Sequence, residues 1–217
     1  MPMRRVLVAV GIIVASLSLV GCAPGVPLSA PTTAAPSVSE TPSPTPVPVV
    51  ATGLVVSLDQ ISVLNNDGST GASAAFSNGA ATLALLSGAL GSTPSPVRND
   101  AYGSTSYDWG ALSLLVSDYT GGALVFITAP DFAGLTLRTT QGIHVGSTVA
   151  EVQAVASPGT QYPASGAPVL LGLEARAHPG TDSLNNPGHV GLDFIATDLD
   201  GGVVARLIVP SSDWQDV

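Results

Sequence analysis

Residues 111–122, ALSLLVSDYTGG, and residues 191–202, GLDFIATDLDGG, align at a constant offset of 80 positions. In both segments apolar residues alternate along the chain, and Asp118 matches Asp198 ahead of a Gly-Gly pair. Alternation with a period of two is typical of a half-buried strand, and glycine supplies the positive φ that tight hairpin turns need. Each segment is therefore predicted to be the first strand and the turn of a β-hairpin, which the residues after the glycines complete.

A strand and a helix are predicted upstream of the first hairpin. The strand covers residues 54–64, where short apolar segments alternate. The helix covers residues 80–90, whose leucines recur at i, i+3 and i+7 and form one apolar stripe. Ser77 or Asn78 is expected to cap its first turn, and Gly91 is expected to end it.

The second hairpin is preceded by the same kinds of elements. A strand is predicted over residues 135–145 and a helix over residues 149–156. Thr148 and Glu151 have the spacing of a capping box, in which each side chain accepts a hydrogen bond from the other residue's backbone N–H. Residues 157–188 contain five prolines and are predicted to be a loop.

These elements predict an α+β fold of two tandem units, each a helix packed on a small antiparallel sheet. The first repeat spans about residues 54–130 and the second about residues 135–210, within a domain that covers residues 52–217. The alternative is that there is no repeat, because any two hairpins look alike at this level of pattern.

The N-terminus has the pattern of an export signal. Arg4 and Arg5 precede the apolar run of residues 6–20, and the run ends in Leu-Val-Gly-Cys, residues 19–22. This tetrapeptide resembles the lipobox of bacterial lipoproteins. The resemblance implies that residues 1–21 are removed by cleavage between Gly21 and Cys22, and that Cys22 receives a diacylglyceryl group. A plain signal peptide and an uncleaved anchor helix are the alternatives.

Residues 22–51 are predicted to be the lipidated cysteine and a disordered linker. Eight prolines among the 29 residues 23–51 favour extended polyproline II structure, which reaches about 90 Å at most. Without the signal, the chain holds four arginines, no lysine and fifteen acidic residues, a formal charge of −11. Such a charge repels phosphate backbones, so nucleic-acid binding is not expected. It also repels anionic lipid headgroups, so membrane contact is expected from the lipid alone.

The lipobox, the Pro/Thr-rich linker and the segment GIHVGSTVAEV, residues 142–152, are similar to those of actinobacterial lipoproteins. The predicted tandem layout also resembles the β-lactamase-inhibitor-protein-like and BamE-like folds. In those families such units bind proteins and are not enzymes. Neither family supplies a catalytic motif, and the single cysteine differs from the disulfide cysteines of the inhibitor family.

No motif in the sequence assigns a catalytic residue, a metal ligand or a cofactor. His178, Asp182, His189 and Asp193 lie close together, but prolines interrupt the helical spacing that a zinc site on one helix would show. A catalytic Ser/His/Asp triad could be built around one of the three histidines, but chance proximity of these common residue types is the better explanation. Carboxylates beside tryptophans, Asp108–Trp109 and Asp213–Trp214, keep a sugar-binding site open as an alternative.

Tyr107, Trp109 and Tyr119 cluster around the first hairpin and are predicted to form a binding face, because Tyr and Trp are favoured interface anchors. The alternative is that Trp109 and Tyr119 fill the core. The predicted function is that of a non-enzymatic envelope lipoprotein on the extracytoplasmic face of the cell membrane, anchored through Cys22 and binding a protein or a wall component. An envelope hydrolase of glycans or peptides and a structural spacer are the alternatives.

Overall fold

The computed structural model describes residues 47–163 and 166–214 of the 217-residue chain. Within these ranges the chain forms thirteen strands and two helices. In chain order they are β1 (Ala51–Val56), β2 (Gln60–Asn65), β3 (Thr70–Ala75), α1 (Gly79–Leu90), β4 (Val97–Asn99), β5 (Ser104–Asp108), β6 (Leu112–Ser117), β7 (Ala123–Ile127), β8 (Asp131–Phe132), β9 (Leu135–Thr139), α2 (Val149–Gln153), β10 (Gln161–Tyr162), β11 (Leu170–Asp182), β12 (Val190–Asp200) and β13 (Val203–Ser212).

The strands form two sheets. A five-stranded sheet has the order β3-β2-β1-β9-β8, and its central pair, β1 and β9, is parallel. An eight-stranded antiparallel sheet has the order β10-β11-β12-β13-β7-β6-β5-β4. Strands β4–β7 and strands β10–β13 each supply one half of the larger sheet, and the halves meet where β7 pairs with β13.

Both hairpins predicted from the aligned segments are present. Strands β6 and β7 pair from Leu112↔Ile127 to Val116↔Ala123, and β12 pairs with β13 up to Asp200↔Val203. Gly121 in the first turn and Gly201 in the second have positive φ angles of 69° and 58°. The glycines are therefore required by the turns, because residues with a Cβ rarely adopt this conformation.

One hydrophobic core joins the two sheets and the two helices. Fully buried members come from β1, β2, β6, β7, β9, β11, β12 and β13, and α1 and α2 each add a side chain. They include Leu54, Ile61, Leu86, Leu114, Val125, Leu137, Val152 and Leu207. Burying a Leu, Val or Ile side chain completely stabilises the fold by about 1.5–3 kcal/mol. The shared core therefore holds residues from both halves of the chain in one body.

The predicted fold class, α+β with two tandem helix-on-sheet units, is wrong. The chain is mostly β, and its two helices have only 12 and 5 residues. The five-residue helix α2 is about 7.5 Å long, too short to cover a sheet. The apolar faces of both hairpins instead share one core with the five-stranded sheet, which takes strands from both halves of the chain, and α1 packs between β3 and β6.

The strand predicted over residues 54–64 is in fact two strands. β1 and β2 pair antiparallel, and a tight turn joins them, in which the N–H of Ser57 donates to the carbonyl oxygen of Gln60 at 2.9 Å. Leu58 lies in this turn but is only 6% exposed, so the apolar pattern continues through it. The second predicted strand, 135–145, ends early, since β9 stops at Thr139.

The segment 157–188, predicted to be a loop, contains β10 and the 13-residue strand β11. The pairing of β11 with β12 skips from Ala177↔Leu192 to Asp182↔Val190, and Pro179 lies in the skipped stretch. A proline that cannot donate to a sheet is tolerated at such an irregularity. The prolines therefore do not prevent the strand.

The helix caps are as predicted. The side chain of Asn78 accepts from the N–H of Ala81 at 3.0 Å, and Gly91 ends α1 in the left-handed conformation with φ 72°. Thr148 and Glu151 form the capping box of α2 with both reciprocal hydrogen bonds. The hydrogen bonds that Glu151 accepts from Thr148 hold the pKa of its carboxyl below the ordinary value.

Candidate binding groove

The central strands of the eight-stranded sheet carry apolar side chains on both faces. Leu114 and Val125 are completely buried in the core. Their neighbours Leu115, Leu124 and Phe126 are half-buried and project from the opposite face, because successive residues of a strand alternate between faces. Leu115 is paired with Leu124 across the two strands, so the three side chains form one apolar surface.

This apolar surface is the floor of an open groove of about 800 Å³. The groove crosses seven neighbouring strands, from Asn99 on β4 to Arg176 on β11, with Pro210 of β13 near the middle. At about 4.8 Å between strands, the crossing is about 29 Å long. Leu58–Asp59 and Ala75–Ser77 also line the groove.

An ion pair lies at one end of the groove. The two terminal nitrogens of Arg176 donate to the two carboxylate oxygens of Asp59 at 3.1 and 2.9 Å. The hydrogen bonds that Asp59 accepts from Arg176, and then the charge of Asp59, raise the pKa of Arg176 above its ordinary value. The pair joins the β1–β2 turn to β11 and neutralises the arginine.

Asp193 of β12 lies beside that pair and also lines the groove. One of its carboxylate oxygens accepts from Nε1 of Trp214 at 2.8 Å, and the other lies 3.0 Å from Nδ1 of His178. The rings of His178 and Trp214 are stacked with their centroids 4.2 Å apart. In the part of the chain that the structure describes, no arginine forms an ion pair with Asp193.

Two further arginines near the groove are also paired with carboxylates. Arg98, next to Asn99 in β4, contacts Asp100 at 2.5 Å and Asp118 at 3.1 Å. Arg206 of β13 bonds Asp198 and lies 5.8 Å above the centre of the Phe126 ring. Each arginine around the groove is thus matched by at least one acid.

A buried carboxylate holds the last described strand in place. Asp213 is 2% exposed and accepts hydrogen bonds from the hydroxyls of Tyr162 and Ser183 at 2.8 and 2.6 Å and from the N–H of Leu192 at 2.6 Å. Burial, and then the bond to Asp213, raise the pKa of Tyr162 well above its ordinary value. Because both carboxylate oxygens of Asp213 already accept hydrogen bonds from within the protein, the role of Asp213 is to stabilise the fold.

A second cavity, of about 530 Å³, lies on the five-stranded sheet. Its lining is mainly hydroxyl and amide side chains around one cation, Arg138, and includes Ser62, Thr140 and Gln141. Arg138 is exposed, and Thr140 bonds the carboxylate of Glu174 nearby. Val55, Val63 and Leu64 also line this cavity, so it differs from the groove in its larger share of hydroxyl and amide side chains.

The structure does not bring Tyr107, Trp109 and Tyr119 together as one exposed face. Trp109 is 8% exposed, belongs to the core and donates through Nε1 to the carbonyl oxygen of Ser92 at 2.9 Å. Tyr107 is half-buried against the core, whereas Tyr119 is 81% exposed. Another tyrosine, Tyr102, is 75% exposed and lines the groove.

The predicted lipidation and cleavage residues, Cys22 and Gly21, lie outside the described residues. Of the histidines and acids considered for a zinc site, only His178 and Asp193 are bonded to each other in the described ranges. Across those ranges, no group of three or more His, Cys, Asp or Glu side chains is placed to hold a metal ion.

The carboxylates considered for sugar chemistry lie in different surroundings. Asp108 is exposed and accepts from the N–H of Gly110 at 2.7 Å, while its neighbour Trp109 is buried. Asp213 is buried and its oxygens are occupied. His144 lies 3.1 Å from the hydroxyl of Ser147, but both belong to the turn before α2.

Sequence reasoning missed the residues that form the groove. The sequence did contain a signal for the floor of the groove. β7 is a run of five apolar residues, ALVFI, which indicates a strand with two apolar faces. No local signal pairs Asp59 with Arg176, because 117 positions separate them.

Comparison of the chain with protein-family models, with curated proteins and with solved structures finds no match. Among the residues that the structure describes, neither helix is long and apolar enough to cross a membrane.

Proposed function

We propose that the protein is a non-enzymatic binding module of the cell envelope, anchored through Cys22 on the extracytoplasmic face of the cell membrane. Its ligand, a protein or a wall component, binds in the groove. The observation that carries this proposal is the apolar floor of Leu115, Leu124 and Phe126. These side chains lie on the face of the central strands opposite to the core and project into a groove about 29 Å long.

The N-terminal sequence supports the location. The apolar run of residues 6–20 is shorter than the ~20 residues of a membrane-spanning helix. It is followed by Gly21 and Cys22, the single cysteine of the chain. A diacylglyceryl group has two acyl chains, which is what stable anchoring requires. The Pro-rich residues 23–51 would then hold the folded part away from the bilayer.

The size and form of the groove support binding. Ligand sites are concave and largely apolar, with a few polar groups that fix orientation. Here the floor is apolar, and Asp59, Arg176 and Asp193 supply polar groups at one end. Monomeric proteins rarely leave large contiguous apolar patches exposed, and such patches mark interaction sites.

A co-purification experiment tests the proposal. The full lipidated chain is extracted in mild detergent and used to capture binding components from solubilised envelope, beside a Leu115→Ser, Leu124→Ser variant. The matched control is Leu184→Ser, Val169→Ser, because both side chains are exposed and lie outside the groove. Thermal unfolding confirms that each variant is folded.

The expected result is that the wild type and the control retain a partner that the groove variant loses. Retention of the same partner by a folded groove variant would show that binding does not use the groove. Trp109→Ala is unsuitable for this purpose, because the buried Trp109 side chain contributes to the core and its removal acts on folding.

A further inference from the structure

The charges around the groove determine which kind of ligand it accepts. Three charged residues line the groove, Asp59, Arg176 and Asp193. Arg176 forms its ion pair with Asp59, and Asp193 acts on Arg176 through its charge but forms no ion pair with an arginine in the described ranges. The lining therefore has a formal charge of −1. Beyond the lining, Arg98 faces two acids, so a further negative charge is left over there.

An anionic ligand fits this surface poorly. To bind a phosphate or a carboxylate, Arg98, Arg176 or Arg206 would have to break an existing ion pair, and the chain without its signal, with its formal charge of −11, would repel the ligand. A cationic ligand meets the opposite situation, because the surplus carboxylates and the whole-molecule field both attract it. The same repulsion disfavours a second copy of the chain as the occupant.

The shape of the groove indicates an extended chain. Its length of about 29 Å corresponds to about eight residues of extended polypeptide. An extended segment directs alternate side chains to opposite sides, so apolar residues can face the floor while charged ones face the rim. The floor supplies Leu115, Leu124 and Phe126, and the exposed Tyr102 stands at the edge.

We propose that the groove binds an extended basic polypeptide segment of about eight residues, with large apolar side chains on the floor and a lysine or arginine beside Asp193. This inference rests on the proposed function and adds the chemical class of the partner. Asp193 would attract the cation through the face of its carboxylate that is left open, since its side chain is 21% exposed. Trp214 and His178 fix its position from the other side.

Three fluorescent octapeptides test the inference on the full chain in detergent. Phenylalanine alternates with lysine in the first, with serine in the second and with glutamate in the third. Their dissociation constants are measured by fluorescence anisotropy at low and high salt. We expect the lysine peptide to bind at least tenfold more tightly than the serine peptide, and the glutamate peptide to bind most weakly. The lysine advantage should shrink at high salt, because salt screens charges.

Two variants locate the binding. Asp193→Asn should weaken the lysine peptide several-fold and leave the serine peptide unchanged, because Asn keeps the shape of the side chain and removes its charge. Leu124→Ser should weaken both peptides. The matched control is Asp131→Asn, an exposed acid outside the groove, which should bind like the wild type.

Equal or tighter binding of the glutamate peptide would overturn the inference, as would unchanged affinities in both variants. Failure of this inference is distinguishable from failure of the proposed function. If the Leu115→Ser, Leu124→Ser variant loses its envelope partner but the lysine peptide binds no better than the serine peptide, the groove remains the binding site and the basic class is wrong.

Discussion

Replacing Asp213 by alanine should destabilise the fold strongly. The substitution removes the acceptor of three hydrogen bonds, from the hydroxyls of Tyr162 and Ser183 and from the N–H of Leu192. Ser183 is 4% exposed, so its hydroxyl cannot turn to bulk water. Each buried donor left without a partner costs about 1–3 kcal/mol, so the expected loss is about 3–5 kcal/mol, with water entering the space offsetting part of it.

The conservative variant Asp213→Asn should cost less. The side-chain carbonyl oxygen of the asparagine can still accept from the N–H of Leu192. Its NH₂ group, however, faces the hydroxyls of Tyr162 and Ser183, which both donate in the wild type. Hydrogen bonds to a charged group contribute about 1.5–3 kcal/mol and neutral ones about 0.5–1.5 kcal/mol, so a loss of about 1–2 kcal/mol is expected. Asp131→Asn is the control and should change the stability by less than about 0.5 kcal/mol.

Urea denaturation followed by Trp fluorescence and circular dichroism measures these differences. The comparison requires that the wild type and the three variants unfold with the same dependence on urea. If Asp213→Ala lost less than about 1 kcal/mol, the three donors would have found other partners, and the interpretation of Asp213 as the acceptor that holds β13 against β12 would be refuted.

Three further predictions concern titration, capping and anchoring. The folded protein keeps Tyr162 protonated above its ordinary pKa, so the stability that this residue contributes is complete below about pH 10 and is lost as the pH rises further. Tyr162→Phe should therefore reduce the fall in the free energy of unfolding that urea denaturation measures from pH 9 to 11. An equal fall in the wild type and the variant would contradict this. Asn78→Ala should lower the free energy of unfolding by about 1 kcal/mol and Asn78→Ser by less, since serine also caps helices; equal losses would show that the cap is not the cause. Cys22→Ser should abolish incorporation of labelled palmitate and release the protein from the membrane fraction, whereas continued labelling would place the lipid elsewhere.

The features that the sequence predicted correctly depend on nearby residues. The caps at Asn78 and Thr148 and the glycine turns of the two hairpins each arise from hydrogen bonds or φ angles within a few positions. Alternation in residues 111–122 predicted β6 for the same reason. Such local preferences are readable because the rest of the fold does not oppose them.

The fold class was not predictable from the same signals. Which strands become neighbours depends on pairings such as Gly53↔Thr136 and Leu207↔Ile127, which join residues about 80 positions apart. A helical period in residues 80–90 indicates a helix but not how much of a sheet it covers. The hairpins were therefore assigned to separate sheets, although the pairing of β7 with β13 joins them in one sheet.

The candidate site was harder to predict than the fold for a related reason. Tyr107, Trp109 and Tyr119 were predicted to form a binding face, with Trp109 and Tyr119 in the core as the alternative. Trp109 is buried, because its ring packs in the core and its Nε1 donates to the carbonyl oxygen of Ser92, whereas Tyr119 is exposed. The ion pair of Asp59 and Arg176 joins distant strands and leaves no local trace. What sequence reasoning could have used is the uninterrupted apolar run of β7.

The two faces of β7 allow folding and binding to be tested separately within a single strand. Val125 is fully buried, so Val125→Ala removes contacts from the core and should lower stability without changing the groove. Leu124 and Phe126 project from the other face, so polar replacements there should act mainly on the ligand. If the outer apolar residues served only to stabilise the sheet, the Val125 and Leu124 variants would lose stability alike and neither would lose a partner. Measuring both properties in both variants therefore decides whether the second apolar face of β7 serves binding or folding.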